Sequence, residues 1–417
     1  MANDDLKDEV VYQQTRTDEL LWRQSRKTGM SRRELLGLLS AGGTAAILGT
    51  LAPTISRAQA PAAPPKPSPL VKPVPPDLFI SFGSNQEMRW NQMYSRGYLV
   101  PNDLFFVRDH SKTPVINAAS WRLKVEGSGV QRPLDLSYDD LLAMPSVSVI
   151  RFVECAGNGR SFFEQAYGKK AQGTQWKLGA VGVAEWTGVP LREVLDRAGM
   201  KRSAKDLMPE GLDDLRVRRP MSVAKAVEED TLLVYAMNGE PLPPDHGFPV
   251  RALVPGWIGV ASVKWVGKIE VSEQPIFSPW NTDSYVLIGP DYKAQAPSKG
   301  PILSTQGVKS ALELAWPAEV KSGLRTIRGR SWSGSGKIAR VEYSVDGGST
   351  WQSAKLREPN LDRAWVRWDF QWDARPGRYT VRIKATDEKG NTQPATVPWN
   401  DQGYIYSAVV GHPVTVT

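Results

Sequence analysis

The sequence predicts a strand-rich, mixed α+β domain followed by an immunoglobulin-like β-sandwich. Three observations carry that prediction: short apolar runs bounded by turn residues recur from about Asp77 onward, helical patterns are few and brief, and beyond a Pro/Gly cluster at residues 297–301 the runs alternate regularly. With 417 residues, 41% hydrophobic and 23% charged, the chain can bury two or more cores and leaves no room for wholesale disorder.

Residues 1–60 read as an export signal. Adjacent Arg32 and Arg33 open it within Ser31–Leu36, the run from Gly37 to Leu51 is apolar, and Ala58-Gln59-Ala60 offers a small-residue cleavage site. The apolar run contains four glycines and falls short of the roughly 20 residues that span a bilayer. The mature protein is therefore expected to be periplasmic, exported by the twin-arginine route, and without a membrane span. Residues 61–76 are proline-rich and read as an extended linker, because proline cannot donate to a helix or a central strand.

The first domain is expected over 77–299. Val147–Val153, Arg251–Val254 and Val263–Val271 are runs suited to buried strands of a mixed sheet, while Leu191–Ala198, opening after Pro190, and Ser222–Val227 have helical spacing. The second domain is expected over 300–417. Its strands are predicted at Leu312–Trp316, Leu324–Trp332, Ile338–Val345, Trp351–Leu356, Ala364–Trp372 and Arg378–Ala385, with a hairpin at Asp346-Gly347-Gly348, where those residues tolerate the positive φ of a tight turn.

The 52 Lys and Arg exceed the 44 Asp and Glu, giving +8, but the charges are mixed and no dense basic run exists. That pattern argues against nucleic acid and fits a small anion or an acidic protein partner. The single cysteine excludes an intrachain disulfide, a cysteine-rich zinc site, an iron–sulfur cluster and covalent c-type haem within the chain.

Val147–Arg160 is the segment richest in chemistry. An apolar strand ends at Cys155, and Ala156-Gly157-Asn158-Gly159 turn the chain with side chains small enough for a bulky group to approach the sulfur. Such a thiolate can bind a soft metal or act as a nucleophile. Alone it would more often be a small buried hydrophobe; a hydrolase pairing it with His110, His246 or His412 is the competing chemistry. Phe105–His110 and Asp245–Arg251 each place an Arg and a His within a few residues, suited to phosphate or pterin edges or to satisfied surface loops.

The motifs F-F-V-R-D-H, E-C-A-G-N-G-R, G-T-Q-W, M-N-G-E-P-L-P-P-D-H-G-F-P-V-R, V-P-G-W-I-G-V-A-S-V-K-W and D-Y-K occur here in one order. In that order they resemble the sulfite oxidase family over nearly all of the chain beyond the linker. The resemblance implies one molybdenum-molybdopterin per chain, an immunoglobulin-like second domain that makes a homodimer, and Cys155 as the protein thiolate on the metal. It places His110, Asp213, His246, Arg251, Ser262 and Lys264 on the pterin and its phosphate. Arg108, Arg160, Trp176 and Tyr292 would form the anion pocket, and Lys293 stands beside the last of them. Two positions depart from the pattern: Gly159 and Gln402 stand where family members carry arginine, which makes the expected pocket less positive.

The implied reaction is oxidation of sulfite to sulfate by oxo transfer to sulfur, with electrons leaving to an external c-type cytochrome or copper protein. A sulfane dehydrogenase of the thiosulfate-oxidising system is the alternative, a sulfoxide reductase a further one, and a non-catalytic exported binding module the alternative of another class.

Overall fold

The computed structural model describes residues 69–94 and 96–417, so the expected export signal and the first half of the linker lie outside the described residues. Three sheets are built before residue 273. Phe79–Phe82, Asn85–Met88 and Val107–Arg108 form an antiparallel ribbon. A second sheet runs Glu240–Pro241, Leu232–Met237, Val181–Pro190 and Val147–Glu154 in that order, with Arg251–Leu253 also paired to Leu232–Met237. Leu232–Met237 is buried throughout and Val181–Pro190 nearly so. Their continuous apolar runs are those of strands covered on both faces.

The third sheet orders Leu134–Ser137, Arg122–Glu126, Val266–Ser272, Asp206–Gly211 and Met221–Ser222. Val266–Ser272 pairs parallel with Arg122–Glu126 and antiparallel with Asp206–Gly211, so this sheet is mixed as expected, whereas Val147–Glu154 and Arg251–Leu253 lie in the second sheet, whose pairs are all antiparallel. The two expected helices form at Leu191–Arg197, which buries Leu191, Val194 and Leu195 on one face, and at Val223–Ala226, capped by the Ser222 hydroxyl.

Strands from Lys309 onward pair only with one another, in a four-stranded and a five-stranded sheet. The first orders Lys309–Leu312, Gly323–Trp332, Trp365–Ala374 and Lys355–Arg357. The second orders Ala318–Val320, Gly411–Val416, Gly377–Asp387, Ile338–Ser344 and Gln352–Ser353. Val341, Trp368, Phe370, Val381 and Ile383 interdigitate between them, and Tyr343 stacks on Phe370 with centroids 3.7 Å apart. Burying each such side chain stabilises by about 1.5–3 kcal/mol. The Asp346–Gly348 turn joins Ile338–Ser344 to Gln352–Ser353, with Gly347 and Gly348 at φ +74° and +101°.

The predicted strand Trp351–Leu356 is two short strands, one in each sheet, because the chain crosses the sandwich edge at Ala354. The strand expected at Leu312–Trp316 instead lies at Lys309–Leu312. Two isolated bridges, Trp257 to Thr305 and Val286 to Ile302, tie the segment leading into the sandwich back to the earlier part of the chain. None of the helices among the described residues is long and apolar enough to cross a membrane.

Candidate active site around Cys155

The strand Val147–Glu154 starts at the surface and ends in the core, so it delivers Cys155 to a buried position. The Cys155 backbone N–H donates to Ala180 O at 2.9 Å, and Asn158 N–H donates back to Cys155 O at 2.9 Å, closing the turn. Gly157 is required there by close approach: a Cβ would sit 2.4 Å from the Arg160 guanidinium.

One pocket gathers Arg108, His110, Cys155, Asp213, His246, Arg251, Ser262 and Lys264, all expected from the sequence, together with Phe105, Asp109, Asp245 and Tyr285. Arg108 ends the short strand Val107–Arg108 and lines the pocket with Cys155. Burial opposes its charge, but Tyr285, Cys155 and Tyr404 around it outweigh that, and its pKa is raised. His110 Nε2 and the Tyr285 hydroxyl share a hydrogen bond at 2.8 Å, and Trp280 packs edge-on against the imidazole at 4.4 Å. Burial, then Arg108, push the His110 pKa well below the usual range, so the ring is neutral.

On the opposite side Gly247, at φ +110°, lets Arg251 and Lys264 converge; a Cβ there would meet the Arg251 Cβ at 2.9 Å. Arg251 donates to His246 O at 3.1 Å and Ser262 O at 3.0 Å, lies 5.1 Å from the Trp186 ring, and has no carboxylate partner among the described residues. Burial pushes its pKa down to about 9. Lys264 bonds to Asp109 and to Asp245 O, yet burial, with Arg108 and Lys72, holds its pKa well below normal. Asp109 and Asp245 are otherwise engaged: Thr113 donates to both, and Asp245 also accepts Val71 and Lys72 N–H groups at 3.0 and 2.7 Å.

Three expected residues do not line this pocket. Arg160 packs behind Cys155, donating to Thr174 O and Gln402 O at 2.8 Å each and lying 5.3 Å from the Tyr404 ring. Trp176 is fully buried, edge-on to Phe82, with no partner for its Nε1. Tyr292 closes a turn on Gly289 and sits among Asp291 and Tyr167, neither of which lines the pocket, and Lys293 is exposed. The tyrosine at the pocket is Tyr285 instead. It is held in the left-handed region at φ +57°, a conformation costing roughly 1–3 kcal/mol that persists where surroundings over-determine it. Tyr404 stacks on it at 5.0 Å, and Ile405 N–H bonds Ala156 O at 2.8 Å, so the sandwich's last connection reaches the site. Neither tyrosine was legible from local motif. Of the departures, Gly159 adopts φ +95° against Tyr406, and the Gln402 side chain donates to Asp283 O at 2.9 Å.

No cluster of three or more His, Cys, Asp or Glu able to hold a metal ion occurs among the described residues. Cys155 can thus give one ligand, and further ligands must come with the metal. Two buried atoms in the pocket lack any partner, Asp213 Oδ2 and His246 Nε2. Orphaned polar atoms of this kind, beside the unpaired cation Arg251, mark a cradle for a polar, anionic group.

Residues 110–280 match the oxidoreductase molybdopterin binding domain, and residues 308–413 match the Mo-co oxidoreductase dimerisation domain. Fold and site thus define a molybdopterin-binding oxidoreductase carrying a dimerisation domain. The chain is 36% identical to mitochondrial sulfite oxidase of Homo sapiens over 337 residues, which are 76% of this chain and 62% of that protein. It is 35% identical to sulfite oxidase of Gallus gallus over 338 residues, 76% of this chain and 73% of the other. The crystal structure of the sulfane dehydrogenase SoxCD from Paracoccus pantotrophus matches with a TM-score of 0.71 at 28% identity, covering 83% of this chain and 90% of that one. The chain spans less than two thirds of the human relative's length and belongs to the sulfite oxidase family. Membership brings molybdenum-molybdopterin as cofactor. Cys155 and the orphaned donor and acceptor set fit that group.

Proposed function

We propose that the protein oxidises sulfite to sulfate, taking the added oxygen from water and releasing two protons and two electrons per turnover. The observation that carries this reading is the convergence of Cys155, Arg108 and Tyr285 in one pocket, with the Arg108 guanidinium facing the sulfur and unpaired by any carboxylate among the described residues. When bound, the cofactor supplies the oxygen-atom transfer and the redox chemistry. Cys155 would hold its metal, and Asp213, His246, Arg251, Ser262 and Lys264 would hold the pterin and its phosphate.

The chain's own residues bind and orient. Arg108, fixed before substrate arrives, attracts a dianion without rearranging. Neutral His110 fixes the Tyr285 hydroxyl by their shared hydrogen bond, so the phenol has one orientation toward the pocket. Arg160 backs the Cys155 loop from behind rather than lining it.

Electrons would pass to an external c-type cytochrome or a small copper protein, the sandwich would join two copies in a homodimer, and export by the twin-arginine route would place the enzyme in the periplasm. A sulfane dehydrogenase acting on protein-bound sulfur is the second reading. It is favoured by Gln402 and Gly159, which keep two positions near the site uncharged, and by the likeness to SoxCD. The test is molybdenum analysis of the exported protein together with sulfite-dependent reduction of cytochrome c. A protein full of molybdenum that ignores sulfite but oxidises thiol-bound sulfane would overturn the first reading in favour of the second.

A further inference from the structure

Arg219 is buried to 1% exposure and is not among the residues that line the pocket. Its guanidinium donates to Trp280 O and Leu303 O, its Nε has no partner, and no carboxylate lies within salt-bridge distance among the described residues. Buried arginines are normally paired, because an isolated charge in the interior is strongly disfavoured. Burial draws its pKa down to about 10, with Tyr285 and Tyr404 opposing. Those two phenols are the stacked pair at the pocket, with ring centroids 5.0 Å apart.

Both carbonyls it holds lead to the site. Trp280 packs edge-on against His110, while Leu303 N–H donates to Tyr285 O at 3.0 Å, so the guanidinium clamps the chain on both sides of a tyrosine held at positive φ. A surface arginine would give neither the clamp nor an unscreened charge.

We infer that Arg219 is a positioning residue that fixes the stacked Tyr285–Tyr404 wall and, by its uncompensated charge, makes the site select a dianionic oxoanion over neutral or thiol-bound sulfur. The inference deepens, and rests on, the sulfite-oxidising reading.

The experiment compares wild-type holoenzyme with Arg219→Met and Arg219→Lys, checking fold by circular dichroism and cofactor by molybdenum content. Arg219→Met raises the sulfite KM and the inhibition constant of sulfate together by about tenfold, or ~1.4 kcal/mol, with kcat changed less than about threefold. Arg219→Lys, which keeps the charge, recovers most of that loss. A tyrosinate absorbance titration, read as the difference between each protein and its Tyr285→Phe counterpart, moves to higher pH in the methionine variant, because the cation that favours phenolate is gone. A fall in kcat with KM and sulfate inhibition unchanged, or an unmoved titration, overturns the inference. If Arg219→Met does not fold, the lysine variant decides: sulfate inhibition within about threefold of wild type supports the charge role, and a tenfold weakening refutes it. Wild-type protein that holds molybdenum but leaves sulfite untouched sinks the functional reading alone. The titration and sulfate binding by calorimetry still decide on Arg219.

Discussion

Replacing Lys309 by Met tests how the sandwich supports Cys155. Lys309 Nζ donates to Glu154 Oε1 at 2.8 Å and to Asn158 O at 2.9 Å, and both members of the ion pair are essentially solvent-free. Glu154 is further satisfied by Asn158 Nδ2 at 2.8 Å and Trp332 Nε1 at 2.9 Å. Removing only the cation leaves a buried carboxylate with two neutral donors, a change that costs about 3–5 kcal/mol. At ~2.1 cal/mol/K of unfolding entropy per residue, a loss near 4 kcal/mol lowers Tm by about 5 °C for a unit of this size. The double variant Glu154→Gln with Lys309→Met removes both charges and is expected to recover at least half of the loss. Urea unfolding of wild type, the two single variants and the double variant, combined as a cycle, measures the coupling. A single-variant loss under about 1 kcal/mol, or a double variant no better than the worse single one, refutes the reasoning.

Cys155→Ser leaves the fold intact by circular dichroism and abolishes sulfite turnover; a fully active serine variant would remove the thiolate from the mechanism. Tyr285→Phe lowers kcat/KM for sulfite by about a hundredfold, the scale of losing one preorganised donor, whereas Tyr292→Phe leaves it unchanged; steady-state kinetics with both variants distinguishes the two tyrosines. His412 Nε2 donates to Ala315 O at 2.8 Å, and burial pushes its pKa from 6.5 down to about 4. Its folded pKa is depressed, so its stabilisation is full above pH 6.5 and drains away as pH falls toward 4. Wild type is expected to lose about 3 kcal/mol more than His412→Gln across that window in urea titrations, and parallel pH profiles would contradict it. Gly179→Ala places a Cβ 2.0 Å from Met88 O, beside the N–H that Glu87 holds at 3.0 Å, and should destabilise by about 3 kcal/mol in the same assay.

What could be read from sequence follows from which forces are local. Val147–Val153 and Leu324–Trp332 announce themselves because apolar, β-branched runs suit a covered strand wherever they pair. Gly411–Val416, with His412 and Pro413 in it, and the three-residue Ala318–Val320 carry no such run; the first is a strand because it pairs antiparallel with Gly377–Asp387, and the second because it pairs parallel with Gly411–Val416, about 90 residues further along the chain. The pocket was legible in the same uneven way. Side chains on the strand ends and their turns, Arg108, Cys155, His246 and Arg251, stand in motifs whose order resembles the sulfite oxidase family, and that resemblance is what groups them. Tyr292 stands in the D-Y-K motif and Tyr285 in a plain Asp-Ser-Tyr, yet it is Tyr285, at positive φ and accepting the Leu303 N–H, that lines the pocket. Arg219 lies in Leu215-Arg216-Val217-Arg218-Arg219, which belongs to no motif that the sequence singles out; its burial comes from the segments at 280 and 303 folding over it.

The placement of the thiolate and the seating of the sandwich are one structural decision. Successive residues leaving a strand point to opposite sides, so the strand ending at Glu154 sends that carboxylate toward Lys309 and Trp332 and turns Cys155 toward Arg108. A register shift of one residue against Val181–Pro190 would exchange the two, putting a carboxylate in the anion pocket and a thiol against a buried lysine. The eight consecutive pairs of that ladder therefore fix chemistry as well as fold. Tyr404 and Ile405 return from the sandwich to Ala156 and Tyr285 on the far side of the same loop. Loosening the second domain should accordingly disturb the geometry around Cys155 before it unfolds the sheet that carries it, and loss of retained molybdenum should precede loss of strand signal as urea is raised.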